Sequence, residues 1–308
     1  MTACAPRALR SKESTDLPEP MESPPPGIAP GPVRVREALK SEPLGFILRE
    51  AFHDLRRSRA AIRALAWRDV SAELRSSSLW WAGAVISVIT LTTLATAMRN
   101  AGVLTVSHEG VPYPVFVLLG AIVWTGFLDA LQTPVRALRA EAAFLVETTA
   151  AAESVLVAGL APVLLRILAK LIVLGLAMVW FRVVPSPAVL VAWLPLALAL
   201  VLGFAAGLIL APLSLLFRSL PALIDSLSVV LFLLTPVCFP PPEGIIGSLM
   251  TLNPLAALIT AFREMVTTGL PAVGAPLLAS ALAPLALLLV GIVFSRLALP
   301  VVLEHARG

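Results

Sequence analysis

Residues Ala211–Glu264 read APLSLLFRSLPALIDSLSVVLFLLTPVCFPPPEGIIGSLMTLNPLAALITAFRE. An apolar run meets a short basic turn at Arg218, a second apolar run follows, and Pro236 and Pro240 to Pro242 then break the chain before Asn253-Pro254. Proline removes a backbone donor and clashes with the preceding helical turn. In lipid, backbone groups freed in this way must be satisfied by surrounding protein. The order therefore predicts a segment that enters a bilayer, breaks near one surface and is enclosed by other helices, which is more than a plain anchor needs.

The rest of the chain supports this setting. Of 308 residues 58% are hydrophobic and 14% charged, and the mean hydropathy is +0.91. That excludes a soluble globular domain. Strand-type alternation is absent, so an all-α polytopic membrane protein is expected. The formal charge of +4 comes from 23 basic and 19 acidic residues, and the basic ones lie beside apolar runs, so the charge is no sign of nucleic acid. Cys4 and Cys238 form no CxxC pair, and His53, His108 and His305 have no ligand spacing; neither a disulfide framework nor a metal site is expected.

Residues 1–43 mix Pro, Ser, Glu, Ala and Arg without apolar periodicity and are read as a disordered cytoplasmic tail. No apolar h-region marks a signal peptide. From 44 to 79 the pattern becomes that of an interfacial amphipathic helix: Leu48, Phe52, Leu55, Ile62 and Leu65 share one face, while Arg49, Arg56 and Arg63 recur on another.

Residues 80–308 are expected to carry six spans, near 80–98, 113–131, 155–181, 188–217, 222–239 and 275–299. The third starts either at Val155 or near Ile167. Between the second and third lies a polar loop, 132–154, and an outer re-entrant segment occupies 240–270. Most basic residues fall in the tail, the 132–154 loop, the Arg218 turn and the C-terminus, whereas the opposite loops hold Arg99, Arg182 and Arg263. By the positive-inside rule both termini are expected to be cytoplasmic. No inverted repeat is visible.

Ionisable groups inside spans are costly and mark function by default. Arg166 and Lys170 share a helix face; they either line a path for an anionic substrate or snorkel to the interface. Asp129 and Asp225, near span ends, read as solvated or cation-paired carboxylates. No phosphate-binding loop, GxSxG or HExxH occurs, so no cofactor is expected on this chain, and any ATP must be bound by another.

Five blocks in order resemble the integral-membrane permease of type-two ABC exporters, in the branch that exports polysaccharides and polyol-phosphate polymers. LAWRDV (65–70) resembles the family's pre-span Trp-Arg-Asp element, here Trp67, Arg68 and Asp69. YPVFVLLGAIVW (113–124) is similar to its second span, and APLSLLFRS (211–219) to the end of its fourth. LLTPVCFP (233–240) resembles its broken fifth span and LNPLAALITAFRE (252–264) the approach to its last. The chain departs from the pattern at Glu73-Leu74, Leu79-Trp80 and Ser219.

The resemblance implies a non-enzymatic transport subunit, working as a homodimer with two copies of a separate ABC ATPase. It places the ATPase-coupling contact in the 132–154 loop, with Phe144, Leu145 and Val146 as an apolar cluster flanked by Arg139, Glu141 and Glu147. Pro236, Asn253, Pro254 and Arg263 would form outer gate elements, with the 244–250 piece, and Arg166 and Lys170 the path. The substrate would be a lipid-linked glycan or polyol-phosphate polymer. Alternatives are a small lipophilic compound, or a membrane-embedded transferase on an isoprenoid-phosphate carrier; the latter needs a DDxxD-type acidic run, and none occurs.

Overall fold

A computed structural model describes residues 44–76, 80–103, 110–141, 152–239, 247, 250, 252–269 and 275–305. The expected tail, the 240–246 stretch with Pro240 to Pro242, and Phe144, Leu145, Val146 and Glu147 lie outside the described residues. Within them the chain is all-helical with no strand. Ten helices of seven or more residues follow one another: α1 Leu44–Arg57, α2 Arg59–Ser76, α3 Trp80–Asn100, α4 Tyr113–Ala140, α5 Ala152–Ala158, α6 Leu160–Trp180, α7 Trp193–Leu216, α8 Leu220–Leu233, α9 Pro254–Thr267 and α10 Ala275–His305. A 3₁₀ turn at Pro187–Leu190 precedes α7. Among the described residues five stretches are long and apolar enough to cross a membrane: Ala82–Asn100, Tyr113–Ala140, Ser154–Trp180, Trp193–Leu216 and Leu278–Leu299.

α4 forms the centre of the bundle. Its first half is apolar around the whole circumference, with every residue from Val115 to Trp124 buried, which suits a helix enclosed by others. Some 78% of its span window is buried, against 17% for α3 at the periphery. α7 packs along it through small residues four apart: Ala199, Gly203, Gly207 and Ala211, with both alanines fully covered. A Cβ on Gly203 would strike the Phe127 carbonyl, and one on Gly207 the Leu131 carbonyl and Pro134. Such a row lets two backbones approach where lipid supplies no hydrophobic drive, so that close packing holds the pair. α10 covers another face of α7, where Gly291 sits over the Ala205 carbonyl.

Three expectations change in detail. The interfacial stretch is two helices, not one, with a turn at Ser58; Ser58 N donates to Asp54 O and Ile62 N to Ser58 O, so the backbone ladder bridges the turn. The 132–154 loop is helical at both described ends. α4 continues through Pro134 to Ala140, because Leu131, Val135 and Leu138 prolong its buried stripe and proline's missing donor is tolerated where neighbours pack closely. The third span takes the longer form, with α5 and α6 separated by Gly159, and carries Arg166 and Lys170 inside it.

The expected fifth span is helical only over Leu220–Leu233, 14 residues, or about 21 Å against the roughly 30 Å of a hydrocarbon core. Turns continue it to Phe239. This segment lies antiparallel to α4. Near its start Gln132 Nε2 donates to Asp225 at 2.8 Å, midway the Phe232 ring meets Trp124 edge-on at 5.5 Å, and at its end Tyr113 Oη donates to the Cys238 carbonyl at 2.8 Å.

Candidate functional site

At the helix break after α8, side chains from two other helices serve backbone carbonyls. A helix end leaves carbonyls without intrahelical donors, and in an apolar bundle water is not there to serve them. Thr235, Pro236, Val237 and Cys238 are all buried. Val237 N donates to Thr235 O at 2.7 Å. The next three carbonyls are taken by side chains from elsewhere: Arg263 Nη1 donates to Pro236 O at 2.8 Å, Arg263 Nη2 donates to Val237 O, and Tyr113 Oη serves Cys238 O.

Arg263 is held for this task. It is only 6% exposed, its Nε donates to Phe116 O at 3.2 Å, and its guanidinium lies 3.8 Å from the Phe116 ring centroid. The planar fork meets two directions at once, which an ammonium does not. Gly120 of α4 makes the room, since a Cβ there would collide with Arg263 Nη2. The expectation of a charge near an outer exit thus resolves into a buried cap.

Asn253 and Pro254 join the same cluster. Asn253 is the N-cap of α9, accepting from Leu255 N at 3.0 Å, and Pro254 occupies the first helical turn, where its missing donor is not needed. The Asn253 amide also donates to Thr235 Oγ1 at 3.1 Å. α9 is therefore tied to the break at both its cap and its third turn. Its far end is tied too: Ser186 Oγ donates to Met265 O at 2.6 Å and Ser186 N to Val266 O at 2.9 Å.

A second cluster joins α2, α4 and α6. Lys170, 2% exposed, donates to Asp129 Oδ2 at 2.8 Å and to Thr125 Oγ1 at 3.0 Å. Arg166 Nε donates to Glu73 Oε1 at 2.6 Å, and its Nη1 lies 3.9 Å from Asp129 Oδ1. Two cations face two carboxylates, so the group is formally neutral and each member has a partner, as charges out of water require. Arg166 and Lys170 are thus both internally paired within the bundle. Asp129 is cation-paired, and Asp225 takes a hydrogen bond from Gln132.

A third group lies at the α4 C-terminus. Arg68 Nη2 donates to Glu141 Oε1 at 2.7 Å and its Nε to Asp69 Oδ1 at 3.0 Å. Those bonds, Asp69 first and Glu141 next, hold the guanidinium above its ordinary value. Trp67 is 71% exposed, and Arg139 Nη1 donates to Arg218 O at 3.5 Å.

The residues expected at the gate and those expected along the path thus form two groups. Pro236, Asn253 and Arg263 gather around Phe116 and Gly120, while Arg166 and Lys170 gather around Asp129, on the order of 20 Å further along α4 by helical rise. The partners that complete each cluster, Tyr113, Gly120, Glu73 and Thr125, escape sequence reasoning. For the packing row a signal was present, since Gly203-x-x-x-Gly207 is a small-residue motif. Among the described residues no group of three or more His, Cys, Asp and Glu side chains is placed to hold a metal. No protein-family model and no curated protein matches this chain.

Proposed function

We propose that the chain is the membrane-spanning permease subunit of an ATP-driven type-two ABC exporter, moving a lipid-linked polysaccharide or polyol-phosphate polymer outward across the plasma (inner) membrane. It works as a homodimer with two copies of a separate ATPase subunit. The observation that carries the reading is the capped break at Thr235–Cys238. An anchor or scaffold has no use for an interrupted helix whose carbonyls require an arginine and a tyrosine from two other helices; a gate does. The five family-like blocks support the same reading, and three of them meet at this break: Tyr113, the 233–240 segment, and Asn253 with Arg263.

On this reading α8 and its break make a sixth crossing, because the segment follows α4 from Gln132 to Tyr113. Both termini are then cytoplasmic, and α9 with the 240–253 stretch is the outer re-entrant piece. Exposed Leu223, Leu227 and Leu231 on α8, with Leu234 just after it, suit contact with the second copy.

The mechanism follows from α4, a rod of 28 residues, about 42 Å long. Nucleotide binding in the ATPase displaces the cytoplasmic loop that begins at Glu141. Arg68 carries the displacement to α2, and α4 carries it to Phe116, whose carbonyl shares Arg263 with the break. Freeing or re-seating that guanidinium opens or closes the outer end.

The test is a mild-detergent pull-down of the tagged chain from its native membrane. A stoichiometric nucleotide-binding subunit is expected, and a Phe144→Asp, Val146→Asp double variant should lose it. If no such subunit co-purifies even after cross-linking, the exporter reading falls.

A further inference from the structure

Beside the α4–α7 contact, where α6 and α10 flank α7, the bundle contains an apolar cleft of about 510 Å³. Leu156 and Val163 form one wall, Leu288 and Ile292 of α10 another, and Leu200 and Phe204 of α7 the floor. Ser295 is the polar lining residue, and its hydroxyl already donates to Ile292 O. The cleft thus asks for no polar group from an occupant. Left empty it would forfeit dispersion contacts along its length.

Its size selects the occupant. Enclosing an α-helix with its side chains, 10–12 Å across, takes roughly 400–600 Å³ per turn of about 5 Å, so the cleft encloses no more than a single turn of one. A methylene occupies roughly the volume of a water molecule in the liquid, about 30 Å³, so the cleft holds on the order of 17 of them, one acyl chain. The surroundings agree, because its walls belong to spans and Leu164 at its rim is 57% exposed.

Leu55 of α1 also lines the cleft. This helix is fastened there by Arg296 of α10, whose Nη2 donates to Asp54 Oδ2 at 3.0 Å. Around Leu55 the chain presents exposed Arg56, Arg57 and Arg59. A basic amphipathic helix over apolar surface is the arrangement that attracts anionic headgroups.

We propose that the cleft between α6, α7 and α10 binds one acyl chain of an anionic glycerophospholipid whose headgroup rests against α1. The site is separate from the break and the α4 charge cluster and depends only on the chain's lying in a bilayer. A lipid seated there fixes α1 to the bundle from the other side of the Arg296–Asp54 bond.

The experiment uses the full-length chain in nanodiscs, with a phosphatidylglycerol carrying a diazirine at the end of one acyl chain. After irradiation, adducts should concentrate on peptides holding Leu200, Phe204 and Ile292, on the order of tenfold above the outward α6 face at Ile172 and Leu176. Ala197→Trp, which fills the cleft, should abolish the enrichment, and Leu288→Trp fills it from α10 should α7 not tolerate the first. Ile172→Trp should leave it intact. Labelling spread evenly over all exposed span faces would mean annular lipid only and would overturn the proposal. So would equal labelling by a phosphatidylcholine bearing the same chain, or cross-links across the cleft to a second copy.

Discussion

Lys170 Nζ donates to Asp129 Oδ2 at 2.8 Å across the interface of α6 and α4, with the lysine 2% exposed. Removing one member strands the other, because Arg166 stands 3.9 Å away and is already engaged by Glu73. Lys170→Met should therefore destabilise the bundle by about 3 kcal/mol, and adding Asp129→Leu should recover much of that loss. A double-mutant cycle by unfolding titration in mixed micelles measures it. A coupling below about 0.5 kcal/mol would show the pair to be independent.

Arg263→Met removes the donors for the Phe116, Pro236 and Val237 carbonyls together. Each stranded buried acceptor costs about 1–3 kcal/mol, so the break should loosen locally even where the bundle survives. Cys238 beside it is buried. On a Cys4→Ser background, maleimide labelling of Cys238 should be slow in the parent and on the order of tenfold faster in the Arg263→Met variant, since about 1.4 kcal/mol of easier opening suffices. Equal rates would remove the cap role.

Gly203→Val and Gly207→Val place side chains against the Phe127 and Leu131 carbonyls. Each should cost about 1–3 kcal/mol or prevent folding. Gly175→Ala is the contrast: nothing lies within 4 Å of its Cβ, and alanine should gain up to about 1 kcal/mol of helix propensity. Thermal unfolding of the three variants decides whether the α4–α7 contact is as tight as described.

Arg68 and Glu141 form a partly exposed pair, which contributes at most about 1 kcal/mol to stability. Arg68→Glu and Glu141→Arg should leave the melting temperature nearly unchanged yet each impair export by a reconstituted complex. The double reversal should restore it. Wild-type export by both single variants would detach α2 from coupling.

The sequence by itself determined that this is an all-helical membrane protein with a broken helix near Pro236. Hydropathy, proline and terminal charge act within a few turns of chain, and the bilayer imposes the same demand on every segment. The small-residue row on α7 was also written locally, in Gly203 and Gly207. Local pattern further required that Arg166 and Lys170 find partners, but not which ones. Asp129 is 41 residues from Lys170 and Glu73 is 93 from Arg166, and only the packing of α2, α4 and α6 selects them. The same holds for Arg263: its neighbours in sequence resemble those of a solvated loop arginine, and its role exists because α8 ends within reach of α9. The continuation of α4 through Pro134 likewise depends on the helices packed around it. Segment type follows from short-range chemistry, whereas the pairing of charges and the capping of a break are set by which helices the fold brings together.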